Sequence, residues 1–164
     1  MTHAEALLRW NDPLDGIRLP STFVPVAEEA GLMRDLGLWV FEAAARQAAA
    51  WHAEGLATFA VAVNLSLGQL RDPEIIAQYE AILARTGCAP EWLSLEINET
   101  TVVKDIETVG RNLRTLRGLG LKVAIDDFGT GTASIAHLRQ LPVDTLKIDR
   151  SFMAEIGGDP ADPA

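Results

Sequence analysis

Short apolar runs alternate with longer amphipathic stretches along this chain, and the alternation predicts strands followed by helices. The runs predicted to be strands are EALLRW, TFAVAVNLS, WLSLEINE, LKVAIDD and DTLKID. The stretches predicted to be helices are PSTFVPVAEEAG, LMRDLGLWVFEAAARQAAAWHAEG, DPEIIAQYEAILARTG, DIETVGRNLRTLRGLG and SIAHLRQL. In the third of these we expect Asp72 to cap the helix and Pro73 to be its first residue. Strands of nearly continuous hydrophobicity between helices indicate a parallel sheet covered by helices, an α/β fold.

Polar residues follow the apolar part of four of the five predicted strands, which indicates where a functional site lies. They are Asn64, Glu96, Asp126 and Lys147. In (β/α) architectures the carboxyl ends of the strands meet on one face, and that face carries the site. Each residue alone has a plainer interpretation: an amide that caps the next helix, a solvated strand end, a turn aspartate, or a lysine that leaves the sheet edge. These separate interpretations do not explain why strand after strand ends in this way.

Composition and charge narrow the functional classes. The chain has 164 residues, of which 48% are hydrophobic, enough for one domain with its own core. The net charge of −9 argues against broad binding to polymeric nucleic acid but leaves a small phosphate ligand open. No apolar run approaches the roughly 18 residues of a membrane span, the first residues lack the pattern of a signal peptide, and the single cysteine excludes an internal disulfide. We therefore expect a cytoplasmic protein with no membrane contact in this segment.

The adjacent acids Asp126 and Asp127 predict a divalent metal site. Neighbouring carboxylates repel each other unless they are solvated in a turn or a cation lies between them. Carboxylate and amide oxygens suit Mg²⁺ or Mn²⁺, whereas a sequence without a His and Cys cluster argues against zinc. Two ions roughly 3.5–4 Å apart would stabilise the attacking and leaving oxygens of an in-line displacement at phosphorus. Gly129 and Gly131 would let the backbone bend tightly beside the acids.

The motifs EALLRW, VNLS, LEINE, IDDFGTG and LPVDTLKIDRSF occur in this order along the chain. Together with FVPVAEEAGLM they resemble the EAL domain family of cyclic di-GMP phosphodiesterases over residues 4 to about 156. The resemblance implies a modified TIM-type (β/α) barrel, in which a metal-activated water attacks one phosphodiester of cyclic di-GMP in line and gives linear pGpG. It also implies that the first strand here runs antiparallel to its neighbours, which would bring Glu5, at the start of that strand, to the active face.

The same resemblance implies roles for individual residues. The residues implied to hold two ions, Mg²⁺ or Mn²⁺, are Glu5, Asn64, Glu96 and Asp126 for the first, and Asp126 and Asp127 for the second. Lys147 would hold the attacking water or the substrate phosphate. Arg9 would contact a ligand phosphate, where its planar guanidinium suits two oxygens. Glu99 would anchor the DDFGTG loop rather than bind metal.

The sequence also departs from the family pattern. Asn98 stands where threonine is usual, and Thr132 and Ala133 stand where tyrosine and serine are common. The family's strand ending in Gln-Pro before EAL is missing, as are its AEGVE and QGY segments, so we expect about five of eight barrel strands. This gives a partial EAL domain over 1–156, with two open sheet edges, and a loop or disordered tail over 157–164.

The departures keep two other functions open. One is a non-catalytic cyclic di-GMP receptor, and the other is an inactive, incomplete EAL fragment that acts through partner proteins. The resemblance also allows a homodimer, and a sensory or GGDEF-type domain in a longer parent chain.

Overall fold

The computed structural model describes residues 2–56, 58–100, 105–129 and 141–151. Its strands are β1 (Thr2–Ala6), β2 (Trp10–Asp12), β3 (Gly16–Arg18), β4 (Phe59–Asn64), β5 (Leu93–Asn98), β6 (Lys122–Phe128) and β7 (Thr145–Ile148). Its helices are α1 (Pro20–Glu29), α2 (Met33–Ala53), α3 (Leu67–Arg71), α4 (Ile75–Thr86) and α5 (Ile106–Gly118), with a 3₁₀ turn at Pro90–Trp92. The predicted tail at 157–164, and the predicted helix SIAHLRQL apart from its last residue, lie outside the described residues.

Five of these strands form one sheet in the order β1-β4-β5-β6-β7, and every neighbouring pair in it is parallel. The strands β2 and β3 form a separate antiparallel hairpin. The first five residues of β5 and the four central to β4 are buried, as expected for a sheet covered on both faces. The predicted α/β class and the parallel arrangement of the sheet, as in part of a (β/α) barrel, are therefore confirmed.

The direction predicted for the first strand is wrong. That strand was expected over EALLRW, with Glu5 at its start and antiparallel to its neighbours. Instead β1 is Thr2–Ala6, and it runs parallel to β4 with Glu5 opposite Ala62. The half-buried Ala4 and Ala6 lie within the strand, and the chain has already left the sheet at the exposed Leu7. Glu5 therefore lies near the carboxyl end of its strand, and no reversal is needed to bring it to that edge of the sheet.

Helix α2 packs against the sheet through small side chains. Ala44, Ala45 and Ala48 are buried beside Phe41, and small residues allow a helix to approach its neighbours closely. Tyr79 of α4 stacks on Phe41 with the ring centroids 3.7 Å apart. Across the described ranges, no helix combines the length and the apolarity needed to cross a bilayer. Helix α2 thus contacts β4 and β5 of the sheet, and α4 packs on α2.

The end of α4 predicted from Gly87 agrees with the structure, whereas the start predicted from Asp72 and Pro73 does not. Gly87 ends α4 in the left-handed conformation, with φ of 68°. The start of α4 is later than predicted, because its first helical residue is Ile75 and its N-cap is Glu74, not Asp72. Asp72 instead accepts a hydrogen bond from the Glu74 amide at 2.9 Å, which closes a turn around Pro73 before the helix begins.

Candidate active site at the strand ends

Polar side chains lie side by side at the carboxyl ends of the parallel strands. Asn64, the last residue of β4, is paired in the sheet register with Glu96 of β5. Two residues further along β5, Asn98 is paired with Asp126 of β6. Glu5 is the last but one residue of β1, and β1 lies beside β4. The strand register therefore brings these residues to one edge of the sheet.

Glu96 is the most buried of these acids, with 3% of the residue exposed. Its Oε1 lies 2.6 Å from Nζ of Lys147, while its buried Oε2 has no hydrogen-bond partner among the described residues. Burial raises the pKa of Glu96; the Lys147 ammonium opposes this rise, and the negative charges of Asp126 and Glu5 add to it. A buried carboxylate oxygen without a partner favours a bound cation or donor at this position.

The ammonium of Lys147 is the positive charge between two of the acids. Its Nζ lies 2.6 Å from Glu96 and 3.5 Å from Oδ2 of Asp126. Burial lowers the pKa of Lys147, but the hydrogen bond to Glu96 and the charges of Glu96, Asp126 and Glu5 outweigh it, so the pKa is raised above its usual value. Lys147 is therefore protonated at neutral pH and compensates part of the negative charge of the site.

Glu5 and Asn64 meet through one hydrogen bond. Nδ2 of Asn64 donates to Oε1 of Glu5 at 2.8 Å, which joins the ends of β1 and β4. Because this bond uses the nitrogen of the amide, the amide oxygen of Asn64 is left to act as an acceptor or metal ligand. The pair thus adds oxygen donors next to Glu96.

Asp127 has an unusual backbone conformation. Its φ is 54°, in the left-handed region, and its amide donates to Oδ1 of Asp126 at 3.0 Å. Burial raises the pKa of Asp127, and the charges of Asp126 and Asp149 raise it further. A non-glycine residue held at positive φ is uncommon and is a feature of functional sites. The register of β6 with β7 also shifts between Ile125 and Phe128, so the strand is irregular where the two adjacent carboxylates lie.

The turn after Asp127 is tied to Glu99, which is 1% exposed. Oε2 of Glu99 accepts a hydrogen bond from the amide of Gly129 at 2.8 Å, and Gly129 has a φ of 102° that favours glycine. The contact expected between Glu99 and the glycine loop is thus present. Its importance for metal binding stays a prediction, and the rest of that loop, 130–134, lies outside the described residues.

A cleft of about 830 Å³ opens beside these strand ends. Asn64, Glu96 and Asn98 line its polar side, and Met33 and Leu36 line its apolar side. Within the described residues, no three His, Cys, Asp or Glu side chains form a ready-made metal site. The donor chemistry nevertheless fits a hard cation, since the side chains here offer carboxylate and amide oxygens and one of those oxygens is buried and unpaired.

The model of the EAL domain family matches residues 1–164. The chain belongs to the EAL domain family. It is 39% identical over 164 residues to the bifunctional diguanylate cyclase/cyclic di-GMP phosphodiesterase MucR of Pseudomonas aeruginosa, a match that covers 100% of this chain and 24% of MucR. The chain thus spans about a quarter of the length of that curated relative.

Solved structures share the fold of this EAL domain. The PaMucR phosphodiesterase in complex with c-di-GMP superposes with a TM-score of 0.89 at 39% identity, over 97% of this chain and 64% of that one. The FimX EAL domain of Pseudomonas aeruginosa bound to c-di-GMP gives a TM-score of 0.85 at 26% identity, over 95% of this chain and 62% of that one. The predicted EAL-type, TIM-barrel-like fold is therefore confirmed.

Arg9 of the EAL domain lies in the same groove as the site acid Glu5 but is not paired with it among the described residues. It is exposed, and its Nη1 donates to the carbonyl of its neighbour Leu8 at 2.7 Å. With Glu5 and Trp39 it lines a groove of about 410 Å³ between β1 and α2. Among the contacts of the described residues, none joins Arg9 to the site acids, so its contact with a ligand phosphate stays a prediction.

Sequence reasoning missed Asp149, which lies just beyond β7. Its charge is one of the causes of the raised pKa of Asp127, and its own pKa is lowered by hydrogen bonds from Ser151. The signal was present as the last acid of DTLKID, two residues after Lys147. Asp149 adds to the negative potential that a cation would meet at this end of the EAL domain.

Proposed function

We propose that this EAL domain catalyses the metal-dependent hydrolysis of cyclic di-GMP to linear pGpG. The observation that carries the proposal is the carboxylate of Glu96, which is 3% exposed and has an unpaired Oε2 at the edge where the other acids converge. The relative MucR is named as a cyclic di-GMP phosphodiesterase, and its structure is a c-di-GMP complex. Both the chemistry of the site and the similarity support the same reaction.

The donors proposed for divalent ions are those at the strand ends. We assign Glu5, Asn64, Glu96 and Asp126 to one ion, and Asp126 and Asp127 to a second. Bound Mg²⁺ or Mn²⁺ lowers the pKa of a coordinated water and stabilises negative charge on a phosphate. The site holds several acids close together with only one ammonium, that of Lys147, among their described contacts, and this charge imbalance supports cation binding.

The remaining residues orient the reacting groups. The Lys147 ammonium, already 2.6 Å from Glu96, has further N–H groups with which to hold the attacking water or a phosphate oxygen. Glu99 holds the turn after Asp127 through the Gly129 amide, so that both aspartates keep their direction. Arg9 is proposed to contact a phosphate of the ligand, for which its guanidinium is suited.

Product analysis tests the proposal directly. The purified chain is incubated with cyclic di-GMP and Mg²⁺, Mn²⁺ or EDTA, and the nucleotides are separated by chromatography. We expect pGpG with either metal, none with EDTA, and none with Glu5→Ala or Asp126→Ala. Turnover that survives in either variant would contradict the roles assigned. Tight binding of cyclic di-GMP without any product would instead support the receptor function.

The cellular location, the oligomeric state and the control of the domain are also proposals. We propose that the domain works in the cytoplasm and that it forms a homodimer. We also propose that it is controlled by a sensory or GGDEF-type domain in a longer parent chain, because this chain matches 24% of MucR. Light scattering of the purified chain, with and without cyclic di-GMP, tests the homodimer.

A further inference from the structure

The chain immediately after Asn64 is held by a reciprocal pair of side-chain hydrogen bonds. Ser66 is the N-cap of α3, and its Oγ accepts from the Gln69 amide at 3.3 Å. In return, Oε1 of Gln69 accepts from the amide and the hydroxyl of Ser66 at 3.0 and 2.8 Å. This capping box fixes the two residues that follow the end of β4. The first of these two residues is Leu65, and its amide donates to the Glu96 carbonyl at 2.8 Å, which joins the loop to β5.

The Gln69 side chain packs directly against Gly37 of α2. Gln69 is 6% exposed, and a Cβ at Gly37 would lie 1.8 Å from its Nε2 and 2.6 Å from its Cδ. Only glycine leaves room for Gln69 in this position. Glycine weakens a helix relative to alanine, and Gly37 lies within α2 and not among the glycines of positive φ. Close packing of α2 on Gln69 therefore accounts for the glycine.

Helix α3 needs this support because it has only five residues. Helices this short are unstable by themselves, so their position is set by tertiary contacts. Leu70 is buried, and its carbonyl accepts a hydrogen bond from Asn112 of α5. Gln69 supplies the contact on the other side, to α2. The direction in which the chain leaves β4 thus depends on the Gln69 side chain.

We propose that Gln69, packed against Gly37, is a positioning residue that keeps Asn64 beside Glu5 for cation binding. The inference rests on the proposed function, because it takes Asn64 as a metal ligand. Asn64 is exposed, and the hydrogen bond to Glu5 at 2.8 Å is the side-chain contact described for it. Its place is therefore set mainly by its backbone, which is paired with Glu96 on one side and continues directly into the segment that the capping box holds. Gln69 also lines the cleft, but in this inference it is not a metal ligand and acts through Asn64.

Binding of Mn²⁺ in the absence of substrate tests the inference without relying on turnover. Free Mn²⁺ is measured by electron paramagnetic resonance while the purified chain is titrated. Gln69→Met keeps the size of the side chain but removes the acceptor, and we expect at least fivefold weaker binding. Gln69→Glu keeps the acceptor and should restore affinity to within about twofold. In an Asn64→Ala background, Gln69→Met should cause no further loss, because its effect passes through Asn64.

Gly37→Ala tests the same contact from α2. Alanine favours a helix over glycine, so a loss of Mn²⁺ affinity in this variant would not follow from a weaker α2. We expect at least fivefold weaker binding here too. The matched control is Ile82→Val, which removes one methyl group from a buried site in α4 and should leave affinity unchanged. Melting curves of every variant show whether it is folded.

The outcomes separate the inference from the proposed function. If Asn64→Ala weakens Mn²⁺ binding but Gln69→Met and Gly37→Ala do not, the positioning role is wrong while the metal site stands. Additive losses in the Asn64→Ala, Gln69→Met double variant would also overturn the positioning role. If Asn64→Ala leaves Mn²⁺ affinity unchanged, the assignment of Asn64 fails and the inference fails with it.

Discussion

Replacing Lys147 by methionine should destabilise the fold and make its stability depend on metal. The variant leaves the carboxylate of Glu96, which is 3% exposed, without its ammonium partner at 2.6 Å. Breaking a fully buried ion pair costs about 3–5 kcal/mol, whereas an exposed pair is worth about 0–1 kcal/mol. The Lys147 side chain is 39% exposed, so we expect an intermediate loss, about 2 kcal/mol. For a domain of this size that lowers Tm by about 4–8 °C.

Added metal and lower pH should each reverse this loss. Mn²⁺ replaces the missing positive charge, so it should raise Tm more in the variant than in the wild type. The pKa of Glu96 is raised in the folded protein, so between its ordinary value in the unfolded chain and the raised value the folded state holds a proton that the unfolded state has released. Stability of the variant relative to wild type should therefore recover as pH falls through the raised pKa.

Thermal unfolding followed by circular dichroism at pH 7.5, with EDTA and with Mn²⁺, measures the effect. The control is Lys122→Met, because Lys122 is an exposed lysine at the start of β6, whereas Asp126 lies near the end of that strand. This variant should change the free energy of unfolding by less than about 0.5 kcal/mol. A Lys147→Met variant as stable as wild type in EDTA would refute the reasoning. So would equal stabilisation of both proteins by Mn²⁺.

Three further substitutions test other parts of the structure. The Tyr79 hydroxyl is buried and has no hydrogen-bond partner among the described residues. Tyr79→Phe should therefore raise the free energy of unfolding, measured in urea, by about 1 kcal/mol, and a lower free energy of unfolding would contradict this. Hydrogen bonds from Arg85 lower the pKa of Glu42 to about 2, so wild type should be more stable than Glu42→Gln above about pH 4.5 and should lose this advantage as pH falls through about 2. Urea unfolding across that pH range measures the difference, and a difference that does not change with pH would argue against the ion pair between Glu42 and Arg85. Glu99→Ala removes the acceptor of the Gly129 amide and should lower kcat for cyclic di-GMP by about 10–100-fold with little change in Tm. An unchanged kcat would show that the turn keeps its conformation without this hydrogen bond.

Local sequence signals were sufficient for the strand ends. Asn64, Glu96 and Asp126 each follow a continuous apolar run, and in a parallel sheet such residues must come to the same edge. The side-chain pattern of β1 is weaker, because Thr2–Ala6 is short and offers alanines instead of large apolar residues. Its direction depends on pairing with β4, more than fifty residues later. That is why the first strand was predicted too late, whereas its wrong direction came from the family resemblance and not from the pattern.

Contacts between distant residues could not be predicted from sequence patterns. The ion pair between Glu96 and Lys147 follows from the burial of one strand end beside another, and the raised pKa of Glu96 follows from the same burial. The fit of Gln69 against Gly37 depends on how closely α2 approaches α3. A capping-box pattern, serine followed three residues later by glutamine, was visible in the sequence, but its contact with α2 was not.

The most direct test of the central claim is hydrolysis of cyclic di-GMP in water enriched in ¹⁸O, with the product analysed by mass spectrometry. We expect linear pGpG that carries one ¹⁸O on its new terminal phosphate when Mn²⁺ is present, and no product from Asp126→Ala. Linear product without the label, or labelled product from Asp126→Ala at the wild-type rate, would contradict hydrolysis by a water activated at these acids.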